Sequence, residues 1–177
     1  MLSEPLPSTL DVRKAAVRGV SVRGTLKPHD LPRLRAILAA DDGAIEAVLT
    51  FSRDEENRYL IHASITAQVV VSCQRCLEPL QQEVACESTL AAVWTEEQAT
   101  QLPRYLEPLL ADDNGSNLWE LVEDELILAL PPFAYHDTEE CKQILAAFAP
   151  EPLAEQEATG DKPNPFNVLA QLKPGNK

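Results

Sequence analysis

Apolar and polar residues alternate along "GVSVRGTL" (19–26), where Val20, Val22 and the short Gly24 fall on one side, which predicts a strand. The spacing then turns helical in "KPHDLPRLRAILAA". Leu31, Leu34, Ile37 and Leu38 share a face, Asp30 is placed to cap it, and Pro32 sits where a missing N–H costs little. This predicts a helix over 30–40 that "DDG" stops. "AIEAVLTFSRD" (44–54) and "RYLIHASITAQVVVSC" (58–73) are β-branched and joined by "DEEN", the composition of a hairpin. "LQQEVACESTLAAVW" (80–94) reads as another strand, so "CQRCLEP" falls in a turn between two antiparallel strands.

The polar "TEEQATQLPRYLEPLLADDNG" predicts a loop with a short strand at "YLEPLL". "SNLWELVEDELILALPP" is the clearest helix. Ser116 or Asn117 caps it, Leu118, Leu121, Val122, Leu126, Ala129 and Leu130 form its apolar face, and two prolines end it. The expected architecture is α+β. An antiparallel sheet of at least four strands, with barrel closure left open, carries the 30–40 and 117–130 helices. Residues 1–148 make a single domain on this reading. Residues 149–163, rich in Pro, Glu and Ala, read as a flexible linker with little to bury. Residues 164–177 form a docking segment. Asn164 and Pro165 open a short helix there whose Phe166, Leu169 and Leu172 face one way and must pack on the domain or a partner.

Charge changes this picture. The chain carries −13 overall, yet up to residue 35 seven bases face three acids, a balance of +4 that leaves −17 on the remainder. The basic residues Arg13, Lys14, Arg18 and Arg23 are therefore candidates for contact with RNA or another anionic partner, while the acidic part would engage basic protein or stay clear of RNA. No aromatic residues interleave with these bases, so no stacking platform is expected beside them. With no run of about 18 apolar residues and prolines plus an acid near the start, the protein is expected to be soluble and cytoplasmic. In that reducing compartment Cys73, Cys76, Cys86 and Cys141 should be thiols, thiolates or metal ligands.

Cys73 and Cys76 have the C-x-x-C spacing. Thioredoxin-like pairs place the first thiol at a helix N-terminus after a strand, and no βαβ pattern surrounds this one. A knuckle of this kind instead lets both sulfurs point at one ion, with the remaining ligands supplied by a distant element. "YHDTEEC" offers His136 and Cys141. Together with Cys73 and Cys76 they would close a structural zinc site with no position left for water; otherwise the four are buried or surface side chains with no shared role. Cys86, inside a strand, reads as a small buried hydrophobe, and His29 and His62 as solvent or core histidines. The deaminase order H-x-E before P-C-x-x-C is not met. Glu123, Asp124 and Glu125 fan around a helix at ~100° per residue and read as solvated-face charges.

The blocks "CQRCLEPL", "LVEDELILALP" and "KPNPFNVLAQLK", together with the opening "LPSTLDVRKAAVRG", resemble the YceD family, the bacterial large ribosomal RNA subunit accumulation proteins, in order and approximate spacing. The resemblance implies a cytosolic, non-enzymatic ribosome biogenesis factor needed for accumulation or processing of 23S ribosomal RNA. Its partners would be the ribosomal precursor particle, through 23S RNA or ribosomal proteins, with no membrane and no small-molecule substrate. Many relatives carry a longer cysteine-rich tail that looks like a zinc ribbon. This chain keeps only Cys141 there, preceded by His136, which leaves the metal for geometry to decide. The competing expectation is a small metal- or thiol-dependent enzyme acting on RNA or a redox partner.

Overall fold

A computed structural model describes residues 4–112 and 115–147. Strand β1 (Thr9–Leu10) leads into helix α1 (Val12–Arg18) and strand β2 (Ser21–Leu26). Helix α2 (Pro32–Ile37) follows a single 3-10 turn and precedes the long strands β3 (Ala40–Arg53), β4 (Tyr59–Ser72) and β5 (Pro79–Val93). Helix α3 (Glu96–Thr100), strands β6 (Glu107–Leu110) and β7 (Ser116–Asn117), and helices α4 (Leu118–Ala129) and α5 (Glu139–Ala147) complete the order.

The main sheet runs β2-β3-β4-β5-β6, and each of the first four strands is antiparallel to its neighbour, as expected of strands joined in hairpins. Its strands alternate buried and exposed positions, so Ile45, Leu49, Phe51, Ile61 and Ile65 line one face. Helices α1 and α4 lie on that face, with Val12, Ala15 and Ala16 from α1 and Leu118, Val122 and Leu126 from α4 joining the same core. The opposite face carries Thr50, His62 and Thr89 and is covered by no helix among the described residues.

The sheet is not a barrel. Its outermost strands β2 and β6 do not pair, and β6 runs parallel to β5. The free side of β2 is taken by the N-terminal segment, where Leu6 N donates to Thr25 O at 3.2 Å and Thr25 N donates to Glu4 O at 3.0 Å. That edge is already occupied. Gly24 allows the crossing, because a Cβ there would overlap the backbone of Leu6.

The 30–40 helix is shorter than its apolar spacing suggests. Residues 40–43 belong to β3, and "DDG" forms a bulge between Ala40 and Gly43 rather than a stop. Gly43 fits there because a Cβ would meet the carbonyl of Gln68. Asp30 does not cap α2; its carboxylate accepts from Lys27 N at 2.8 Å, one turn earlier. The cap comes from α4. Glu123 Oε1 accepts from Arg33 N at 2.6 Å and Leu34 N at 3.1 Å, and Oε2 takes Arg33 Nε at 2.8 Å. Two donors left open at the start of α2 are thereby satisfied from 90 residues away, beside the positive end of its dipole.

Glu123 is 2% exposed and Glu125 8%, so neither is a solvated-face charge; only Asp124 faces water. In α4, Asn117 is the cap, accepting from Trp119 N and Glu120 N. Helix α1, with no predicted counterpart, is capped by Asp11, whose carboxylate accepts from Lys14 N at 2.9 Å. The linker 149–163 and docking segment 164–177, with Phe166, Leu169 and Leu172, lie outside the described residues.

Candidate metal centre

The β4–β5 connection is a tight knuckle. Cys73 N donates to Glu78 O and Leu77 N donates to Cys73 O, both at 2.9 Å, and Leu77 takes a positive φ of 64° to close it. Cys73 is fully buried at its root, and Cys76 is half-buried near the tip. The second half arrives after α4. The prolines turn the chain out, and Gln74 pins it by donating from its backbone N to Ala134 O at 2.9 Å and from its side chain to Pro132 O at 3.3 Å. Helix α5 then opens with Thr138 Oγ1 accepting from Cys141 N at 3.3 Å, which sets Cys141 in its first turn, buried against the knuckle.

The donor atoms of Cys73, Cys76, His136 and Cys141 all lie within 4.8 Å of one another. Cys73 Sγ stands 3.6 Å from Cys141 Sγ, and Cys76 Sγ 3.3 Å from His136 Nδ1. With bonds of about 2.3 Å to sulfur and 2.0–2.1 Å to nitrogen, a tetrahedral zinc ion separates two sulfurs by roughly 3.8 Å and sulfur from nitrogen by roughly 3.6 Å. The residues fit a four-coordinate ion. The imidazole of His136 is already turned toward it. Its Nε2 lies 3.1 Å from Pro79 O, and donating there leaves the Nδ1 lone pair facing the sulfurs.

The thiols are unequally tuned. Burial opposes ionisation of Cys73, but backbone N–H groups of Cys76, His136 and Arg75 aimed at its sulfur win and bring its pKa to about 5. Burial pushes Cys141 the other way, and the neighbouring sulfurs of Cys73 and Cys76 add to the shift. Two thiols this close cannot both ionise easily unless a cation replaces the proton between them. Arg75 reaches Cys141 Sγ at 3.9 Å while its guanidinium lies 4.9 Å over Tyr135, so it can offset surplus thiolate charge.

The remaining candidates are placed apart. Cys86 is half-buried opposite Ile65 on the core side of β5, where burial raises its thiol pKa, and it is not in the cluster. His62 Nδ1 pairs with Thr89 Oγ1 at 3.0 Å, and His29 Nε2 lies 3.4 Å from Asp30. Arg13, Lys14 and Arg18 are exposed on α1, with Lys14 bound to Asp11 at 2.9 Å; Arg23 is on the opposite face of the sheet. The four bases do not form one patch. The expectation that no aromatic lies beside them is overturned, because the Arg13 guanidinium lies 4.2 Å over the ring of Trp94. These two residues are 81 apart in the chain, so no local pattern could have shown the contact.

The model of the family described as "Large ribosomal RNA subunit accumulation protein YceD" matches residues 61–173, which include all four candidate ligands. A curated protein of Haemophilus influenzae carrying the same description is 35% identical over 173 residues, spanning 95% of this chain and 96% of its own length. No solved structure matches significantly. With similarity that runs through the knuckle and along nearly the full length, the chain belongs to the YceD family.

Proposed function

We propose that this chain is a non-enzymatic, cytoplasmic factor in the accumulation of large-subunit ribosomal RNA. It acts by binding the precursor particle through 23S RNA, a ribosomal protein or both, with one zinc ion held structurally by Cys73, Cys76, His136 and Cys141. The process follows from the family, whose name is that of large ribosomal RNA subunit accumulation. The observation that carries the binding reading is the composition of the site. Four protein donors converge, which is the full complement of a closed zinc site, and a closed site holds no activated water. The ion would tie the β4–β5 knuckle to the segment leading into α5.

The lowered thiol of Cys73 is what favours an enzyme instead, since thiolates are nucleophiles. Its sulfur is fully buried, which weighs against direct attack on a substrate. Replacing Cys73 and Cys76 by serine separates the two readings. A scaffold loses zinc and stability together, whereas an enzyme loses a measurable turnover with folding intact.

The function is tested by sedimenting the protein with ribosomal precursors through sucrose gradients at low and high salt. Co-migration with large-subunit precursors is expected. Retention at high salt marks a protein contact, and loss at high salt marks phosphate binding. A chain that stays at the top of the gradient under both conditions refutes the proposal.

A further inference from the structure

The hairpin that carries the metal knuckle at one end carries a different constellation at the other. Strand β4 begins at Tyr59 and ends at Ser72, beside the cysteines, so the two ends are roughly 43 Å apart at the usual rise per strand residue. At the Tyr59 end the antiparallel register sets Arg53 directly opposite Tyr59, and Tyr59 opposite Ala92. Trp94, two positions beyond Ala92, therefore reaches the Tyr59 ring diagonally. Their ring centroids are 5.5 Å apart at an interplanar angle of 84°. The Arg53 guanidinium lies 5.7 Å from the Tyr59 ring centre, and Arg13, at the start of α1, comes down over Trp94. The result is a continuous row: Arg13, Trp94, Tyr59, Arg53.

Two features set this row apart from an ordinary core edge. In a chain of net charge −13, no carboxylate lies within ion-pair distance of Arg13 or Arg53 among the described residues, although Asp11, whose main partner is Lys14, also feels the Arg13 charge. By contrast Arg58, on the same hairpin end, is neutralised by Asp54 at 2.6 Å and Glu56 at 2.8 Å. Arg13, Trp94 and Tyr59 also line an open groove of about 430 Å³, the size of sites that take small organic groups. In it Asn57 and Gln101 supply amide donors and acceptors beside Leu102, Pro103 and the ion-paired Glu56 and Arg58, while Arg53 stands just outside the lining. Ring-supported guanidiniums suit phosphate and base stacking, and side-chain amides suit base edges. An acidic peptide such as polyglutamate would use the charges but has no planar ring to stack on the guanidinium–indole pair.

Resting on the proposed work at large-subunit precursors, we propose that the Arg13–Trp94–Tyr59–Arg53 row and its groove bind an unpaired segment of RNA. One base stacks on the Arg13–Trp94 pair, and the flanking phosphates lie toward Arg13 and Arg53. The contact is salt-sensitive and tolerant of sequence, because every base offers a stacking face.

The test is fluorescence anisotropy of an end-labelled, unstructured RNA of about ten nucleotides, a typical span for such surfaces. The full chain is compared with the double variant Arg13→Gln/Arg53→Gln and with the charge-matched control Lys27→Gln/Arg35→Gln, two exposed bases outside the row and its groove. The first should weaken binding about tenfold or more and the control by no more than about threefold, with circular dichroism unchanged in both. The same RNA annealed to its complement, and a polyglutamate peptide, should compete poorly. Equal losses in the two double variants, no binding at low salt, or competition by polyglutamate as strong as by the single strand would each overturn the proposal. Gradients run with the wild type and with Arg13→Gln/Arg53→Gln keep the two readings separate. If the wild type fails to co-migrate with precursors, the proposed function falls. If both co-migrate and both bind the oligonucleotide alike, only the RNA row falls.

Discussion

Replacing Glu123 by alanine removes the cap of a helix that lies far away in the chain. The carboxylate is 2% exposed and serves Arg33 N, Leu34 N and Arg33 Nε at 2.6, 3.1 and 2.8 Å. Alanine leaves two backbone donors at the start of α2 without an acceptor. A buried donor left unpaired costs about 1–3 kcal/mol, and the Arg33 amide is only partly buried, so a total near 3 kcal/mol is expected. The exposed guanidinium of Arg33 adds little, since water replaces its partner. In a body of this size that loss lowers Tm by roughly 10 °C. Glu123→Gln keeps an acceptor for both amides and should recover half or more of the difference. Asp124→Ala removes only an exposed pair to Arg33 at 2.7 Å and should stay within about 0.5 kcal/mol of wild type. Urea titration followed by circular dichroism measures all three. An alanine variant within about 1 kcal/mol of wild type would refute the cap, since water would then be serving the same donors.

Burial raises the pKa of Glu125, with the nearby charges of Glu107 and Asp124 acting in the same direction. A carboxyl whose folded pKa exceeds its unfolded value of 4.5 penalises the fold once it ionises. Glu125→Gln should therefore be more stable than wild type at pH 8, with the advantage shrinking as pH falls and absent below about 4.5, as read from melting temperature against pH. Gly24→Ala forces a Cβ onto the backbone of Leu6 and should cost about 1–3 kcal/mol or detach the N-terminal segment, visible as faster amide exchange at Leu6 and Thr25. Cys86→Ala should leave bound metal unchanged, whereas Cys76→Ser should lose it, by elemental analysis of the purified proteins.

How much of this was legible follows from the range of each interaction. Period-two alternation in β3, β4 and β5 and the long apolar stripe of α4 are local patterns, and the structure keeps them. The C-x-x-C spacing also identified its turn, and the late His136 and Cys141 were the only complement that suited it. Helix α1 was invisible because seven residues hold barely two turns, and its stability comes from Asp11 and from burial against β3 and β4. The truncation of α2 depends on Ala40 pairing with Val70, a partner thirty residues on. Glu123 and Glu125 looked solvated because the helix flanks they occupy become buried only when α2 and β5 close over them. The Arg13–Trp94 contact likewise needs the register of two hairpins before it exists. Local periodicity is written in the sequence; cross-strand register, caps lent by another helix and edge closure are set by the assembled fold.

On this reading the four converging side chains hold an ion that fastens the knuckle to α5. The direct measurement is zinc content per chain, taken with thermal stability, on protein purified under reducing conditions and then titrated with a chelator. One zinc per chain is expected, leaving in step with a fall in Tm, and both absent in Cys73→Ser and His136→Ala. Metal-free protein that melts at the wild-type temperature, or zinc retained after either substitution, would contradict it.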